Sequence, residues 1–135
     1  MNSSPDASTP TDGQTLAAIS NAVVRILHAR TGRGPTEART TISGDLVVCV
    51  LRDTLTVGER TLVNDGQAQT VLDVRKLYQM AMRQDLSAAV ETHTGRKVIA
   101  FMSDNNIDPD TAIEAFILQS ETTDRPAHDR ITSPG

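Results

Sequence analysis

The stretch Thr94–Gln119, TGRKVIAFMSDNNIDPDTAIEAFILQ, decides how the rest of the chain is read. Gly95 stands just past a long helical pattern, where a left-handed cap is expected. Lys97–Met102 reads as a strand, with Val98, Ile99, Ala100 and Phe101 all apolar. Ser103–Asp110 reads as a polar turn and Thr111–Leu118 as a second strand. In that strand Ala112, Glu114, Phe116 and Leu118 alternate with Ile113, Ala115 and Ile117. Glu114 is its one charge and is expected to face solvent or an interface.

The same order occurs upstream. Leu16, Ile19, Val23, Ile26 and Leu27 recur at helical spacing and predict a helix over Gln14–Arg30, with Asp12 as its N-cap. Gly32 supplies the cap, and Pro35 keeps the helix from resuming. Glu37–Ile42 and Leu46–Arg52 follow as a hairpin around Ser43-Gly44-Asp45, with Thr40 and Ile42 on one face. Thr56 and Glu59 form a capping box for a short helical piece, whose Leu62 and Val63 are enough only for a lid over the sheet edge. A second helix is predicted over Gln67–His93 from Val71, Val74, Tyr78, Ala81, Met82, Leu86, Ala89 and Val90, with Asp85 interrupting the stripe. It would be about 40 Å long, more than a small sheet needs, which points to a second surface such as a partner subunit.

Each helix ends in Thr-Gly-Arg, at Thr31-Gly32-Arg33 and Thr94-Gly95-Arg96. The expected fold is therefore α+β: two helix-strand-strand units forming a mostly antiparallel four-stranded sheet with helices on one face. Residues 1–13 and 122–135 are Ser-, Thr-, Pro- and Asp-rich and are expected to be disordered tails around a single domain over 14–121.

The totals exclude several function classes. Acidic residues outnumber basic ones, 17 to 13, for a net charge of -4. That argues against nucleic-acid binding, which uses a basic face to displace counterions. Aromatic residues make up 2% of the chain, too few for base-stacking platforms. The single cysteine, Cys49, cannot form an internal disulfide and lies in LVVCVL, where a buried inert thiol is expected. No secretory signal is legible and the longest apolar run, Leu46–Leu51, is far short of a membrane span. The expectation is a cytoplasmic protein without direct membrane insertion, held at a membrane only through a partner.

No catalytic constellation stands out, and no cofactor is implied. His28, His93 and His128 lack metal-ligand spacing. Ser103, His93 and Asp104 could be drawn as a triad, as could similar sets in most chains. Asp104-Asn105-Asn106-Ile107-Asp108 opens like a calcium loop, but Pro109 replaces the turn glycine and Ala115 the bidentate glutamate. A turn held by Asx side chains explains it better. Its acid-rich surface still makes Asp104, Asn105, Asn106 and Asp108 candidate partner contacts. Arg33, Arg39, Arg96 and Lys97 are a candidate anion site, if both Thr-Gly-Arg corners lie at one end of the sheet. The simpler reading has these arginines neutralising helix C-termini or pairing with Glu37 and Glu91.

Three phrases together, ISNAVVRILHARTGRGPTEAR, DLVVCVLRDTLTVGERTLV and TGRKVIAFMSDNNIDPDTAIEAFIL, resemble the MpsC-like family over about Gln14–Gln119. Gly32-Arg33-Gly34-Pro35, Arg39, Leu55–Leu62, Ser103-Asp104-Asn105 and Asp108-Pro109 carry the match. The resemblance implies a small bacterial domain associated with a sodium-translocating, membrane-potential-generating or inorganic-carbon transport system. It implies no enzyme activity and no catalytic residues. The resulting expectation is an accessory or regulatory module that binds a protein partner, as a homodimer. The alternative is a small-anion or nucleotide sensor using the four cations.

Overall fold

A computed structural model of the chain describes residues 12–121. The expected tails therefore lie outside the described residues, except for Asp12 and Gly13. Helix α1 spans Gly13–Thr31 and is followed by strands β1 (Glu37–Ser43) and β2 (Leu46–Arg52). A short helix α2 (Val57–Asn64) and a long helix α3 (Ala68–Thr94) lead to strands β3 (Val98–Asn106) and β4 (Thr111–Leu118). The sheet order is β1-β2-β4-β3, and every neighbouring pair is antiparallel. This is the α+β architecture expected from the sequence.

Local chemistry sets the boundaries. The Asp12 carboxylate accepts the Thr15 amide at 2.9 Å and starts α1. Gly32 and Gly95 adopt φ of 81° and 71°, and their amides return to the His28 and Glu91 carbonyls. Both corners repeat one further device. The hydroxyls of Thr31 and Thr94 donate to the Leu27 and Val90 carbonyls, and each accepts the amide two residues on. Thr56 and Glu59 complete both arms of the capping box, at 3.1 and 2.8 Å.

The two halves are related by a pseudo-twofold axis normal to the sheet. Ile19, Val23 and Leu27 on α1 are matched by Met82, Leu86 and Val90 on α3, at the same distances from their Thr-Gly-Arg corners; all six are buried. The hairpin pairs Thr40–Cys49 and Ser103–Glu114 also correspond. So do two backbone hydrogen bonds between the halves, Asp53 N–H to the Asp110 carbonyl at 3.2 Å and Leu118 N–H to the Asp45 carbonyl at 2.7 Å. Because Cys49 also pairs with Glu114 across β2 and β4, the axis passes through that pair.

Alternation assigns the two faces. Val47, Cys49 and Leu51 on β2, with Ala112, Phe116 and Leu118 on β4, are buried beneath α1 and α3. Phe101 tilts against Phe116 with ring centroids 5.3 Å apart. Burying side chains of this size stabilises the fold by about 1.5–3 kcal/mol each. Among the described residues the other face carries no helix. There the register builds two central rows, Arg39–Val50–Ile113–Asp104 and Thr41–Val48–Ala115–Met102.

Several boundaries and faces differ from expectation. Strand β3 continues to Asn106, so the turn is only Ile107–Asp110. Asn105 is held inside by Arg75 and Gln79, which extends the pairing that Ser103–Asp110 was expected to break. Helix α2 buries no residue and packs against α3 instead of lidding the sheet edge. On α3 the buried stripe is Val71, Gln79, Met82, Leu86 and Val90, while Val74, Tyr78 and Ala81 turn outward. Asp85 pairs with Arg30 of α1. The largest difference is Glu114: it is 1% exposed and faces the helices.

Candidate functional site

The twofold puts the two Thr-Gly-Arg corners at opposite ends of the sheet, not at one end. Arg33 reaches the end of β2, donating to the Asp53 carbonyl at 3.3 Å and pairing with its carboxylate at 2.7 Å. Arg96 reaches the start of β2 and the end of β4, donating to the carbonyls of Gly44 and Gln119 and pairing with Asp45. The seven residues of β2 separate them by about 20 Å. Arg39 lies on the edge strand β1, exposed, with Glu37 4.0 Å away. Lys97 precedes β3 at the Arg96 end. The four cations are therefore not brought into one pocket. Among the described residues Glu91 pairs with no arginine; its carboxylate accepts the Val98 amide at 2.8 Å.

The acid-rich stretch is also divided. Asp104 and Asn106 lie on the uncovered face and Asn105 on the covered one. Asp104 accepts the Asn105 amide, and Asn106 donates to the Pro109 carbonyl at 2.8 Å. Asp108 sits in the turn and is exposed. Asp110, the next acid, has a structural task. Its carboxylate accepts the amides of Thr54 and Leu55 and the Thr54 hydroxyl, all at 2.8–3.0 Å, and pairs with Arg60. It thereby fastens the segment leaving β2. Arg33 beside Asp53 holds that carboxyl below its ordinary value, with Thr36 and Arg60 adding to the effect.

Arg75 organises the interior at this end. It binds Glu59 through two parallel bonds of 3.0 and 2.8 Å, and both side chains are largely buried. It also donates to the Thr54 carbonyl at 2.7 Å and to Asn105 at 3.1 Å. Asn105 and Gln79 exchange reciprocal amide bonds of 3.1 and 3.0 Å. Glu59 thus does double duty, as partner of the α2 cap and as counterion of α3.

Thr54, Glu59, Arg75 and Gln79 border a small cavity between α1, α3 and the sheet. Leu27, Leu51 and Met82 form its apolar side, and Arg33, Arg75 and Glu114 are among its polar lining. About 30 Å³ of it is open to the centres of water-sized molecules. That is room for a water or two, since one needs about 10–15 Å³. Burial pushes the Glu114 carboxyl up to about 7, against the opposing pull of Ser103, the Arg75 charge and Gln79. Ser103 faces it across the hairpin, yet neither Ser103 Oγ nor Glu114 Oε1 completes a hydrogen bond. Burial is therefore the dominant effect. The Glu114 carboxyl thus holds its proton more tightly than an ordinary carboxyl does.

Sequence reasoning expected Glu114 to face solvent or an interface and gave Arg75 no role, and so missed this site. Strict alternation with Ala112 and Phe116 was the available signal for Glu114. Arg75 had none.

A second feature is the outer side of α3. Val74, Leu77, Tyr78 and Ala81 follow helical spacing and are exposed, Leu77 by 67%. Among the described residues no helix is long and apolar enough to cross a membrane.

No curated protein and no solved structure matches the chain. A family model does, over residues 11–120, and its description reads Na+-translocating membrane potential-generating system (MpsC). That span takes in both helix-strand-strand halves and the cavity between them, and the chain belongs to the MpsC family.

Proposed function

We propose that the chain is a non-enzymatic, cytoplasmic accessory module of a membrane system that translocates sodium or accumulates inorganic carbon. It acts by binding a protein of that system. The family's printed description supports the sodium-translocating setting. The observation that carries the mode of action is the exposed apolar stripe Val74, Leu77 and Tyr78 on α3. An amphipathic helix normally turns such a stripe toward a core, and this helix already buries a second one. The excess length of α3 is thereby put to use as a docking edge, beside the acidic Asp108 turn at the same end of the sheet. Four separated cations offer no comparable support for an anion sensor.

The test is site-specific photo-crosslinking from Leu77 in cells, with the adduct identified by mass spectrometry. The expected adduct is an integral membrane transport subunit, lost in Tyr78→Glu. Adducts only with soluble proteins, or none, would count against the reading.

A further inference from the structure

We propose that the uncovered face of the sheet binds a second copy of the chain, face to face, about a twofold axis parallel to the strands. This goes beyond docking through α3 and uses the opposite side of the molecule.

The face is apolar where it is most central. Val48 and Val50 on β2 lie beside Ile113 and Ala115 on β4, and all four point away from the helices. Met102 on the flanking β3 is 53% exposed. A four-stranded sheet with apolar residues on both faces is normally covered on both, and aligned packing on another sheet is the usual solution.

Charge selects the occupant and its orientation. The row Arg39–Val50–Ile113–Asp104 begins with a cation on one edge strand and ends with an anion on the other. A twofold parallel to the strands lays this row over its own copy in reverse. Arg39 then meets the partner's Asp104, and the contact occurs twice per dimer. Val50 and Ile113 meet each other between the two ion pairs. Because the halves of the chain match, the backbone fits equally well about an in-plane axis perpendicular to the strands. In that arrangement Asp104 would sit over the partner's Met102 and Arg39 over the partner's Thr41. An acid would be desolvated against a thioether with no partner, so the side chains break the tie that the backbone leaves. Arg39 can respond, since its side chain is 77% exposed and its ion pair with Glu37 is long, at 4.0 Å.

The experiment is sedimentation equilibrium of the full 135-residue chain, with circular dichroism melting as a folding control. The chain is expected to be dimeric at roughly 100 µM, in the range where even modest interfaces are populated. Arg39→Glu and Asp104→Arg should each weaken the dimer by about tenfold or more, and the double reversal should recover to within about threefold. Ile113→Glu should give a folded monomer. A monomer at that concentration overturns the proposal and assigns the face to another occupant, such as a terminal tail or a different protein. A dimer indifferent to Ile113→Glu, or charge reversals that fail to compensate, overturns it as well. Failure of the α3 crosslink would leave these masses unchanged, so the two readings fall separately.

Discussion

Cys49 and Glu114 meet across β2 and β4 at the pseudo-twofold axis, both fully buried. One position of the internal repeat is thus filled by a thiol in one half and a carboxyl in the other.

The carboxyl links stability to pH. The folded value of about 7 lies above the ordinary 4.5, so the folded state holds the proton more tightly than the unfolded chain. The folded state therefore suffers no penalty below pH 4.5 and loses stability as pH rises from 4.5 to 7. The loss is on the order of 3 kcal/mol, complete above that window. Glu114→Gln keeps the shape without the charge. It should raise the melting temperature at pH 8 by roughly 5–10 °C and flatten the profile between pH 5 and 8. A parallel pH profile in wild type and variant would show that the carboxyl does not titrate there.

The Cys49 thiol is pushed up to about 11, first by burial and then by the Glu114 charge, against a hydrogen bond to Thr40. Native protein at pH 8 should react with a thiol reagent at least about 100-fold more slowly than protein unfolded in guanidinium. Rapid stoichiometric labelling of the native chain would mean that the sheet opens at its centre.

Arg75 should matter more for stability than its helical surface position suggests. Arg75→Ala leaves Glu59 buried without its counterion and frees the Thr54 carbonyl. The expected cost is about 3–5 kcal/mol by urea unfolding. Arg75→Lys should recover only part of this, because an ammonium cannot make the parallel pair of bonds.

Asp110 holds the backbone amides of Thr54 and Leu55 and the Thr54 hydroxyl. Asp110→Ala is expected to destabilise by about 2–4 kcal/mol, and Asp110→Asn by less. The turn neighbour Asp108→Ala, exposed and outside this network, should change stability by under about 0.5 kcal/mol. Comparable losses from both would show that the loop, and not the Asp110 carboxylate, is what matters.

Much of the architecture was legible because it rests on local chemistry. The glycine caps, the Thr56–Glu59 box and the Leu46–Arg52 run each declare themselves within a few residues. The repeated Thr-Gly-Arg corners pointed to the doubled fold. They could not show that the corners lie at opposite ends, which depends on β2 and β4 pairing antiparallel at the axis. The site was less legible. Glu114 was read by its charge, whereas position decided its burial: it alternates with Ala112 and Phe116 and is carried under the helices with them. Arg75 and Asn105 lie 30 residues apart and acquire their roles only by long-range contact. Nothing within either's own neighbourhood marks it.

Two like halves in one polypeptide are free to differ at matched positions, whereas a pair of separate identical chains is not. In such a pair the axial position must be the same residue twice. Two carboxyls there would face each other at neighbouring-strand distance in a dry interior, where like charges repel strongly. Joined in one chain, the halves place a single carboxyl beside a thiol at the axis, so one proton is held there without a second acid competing for it.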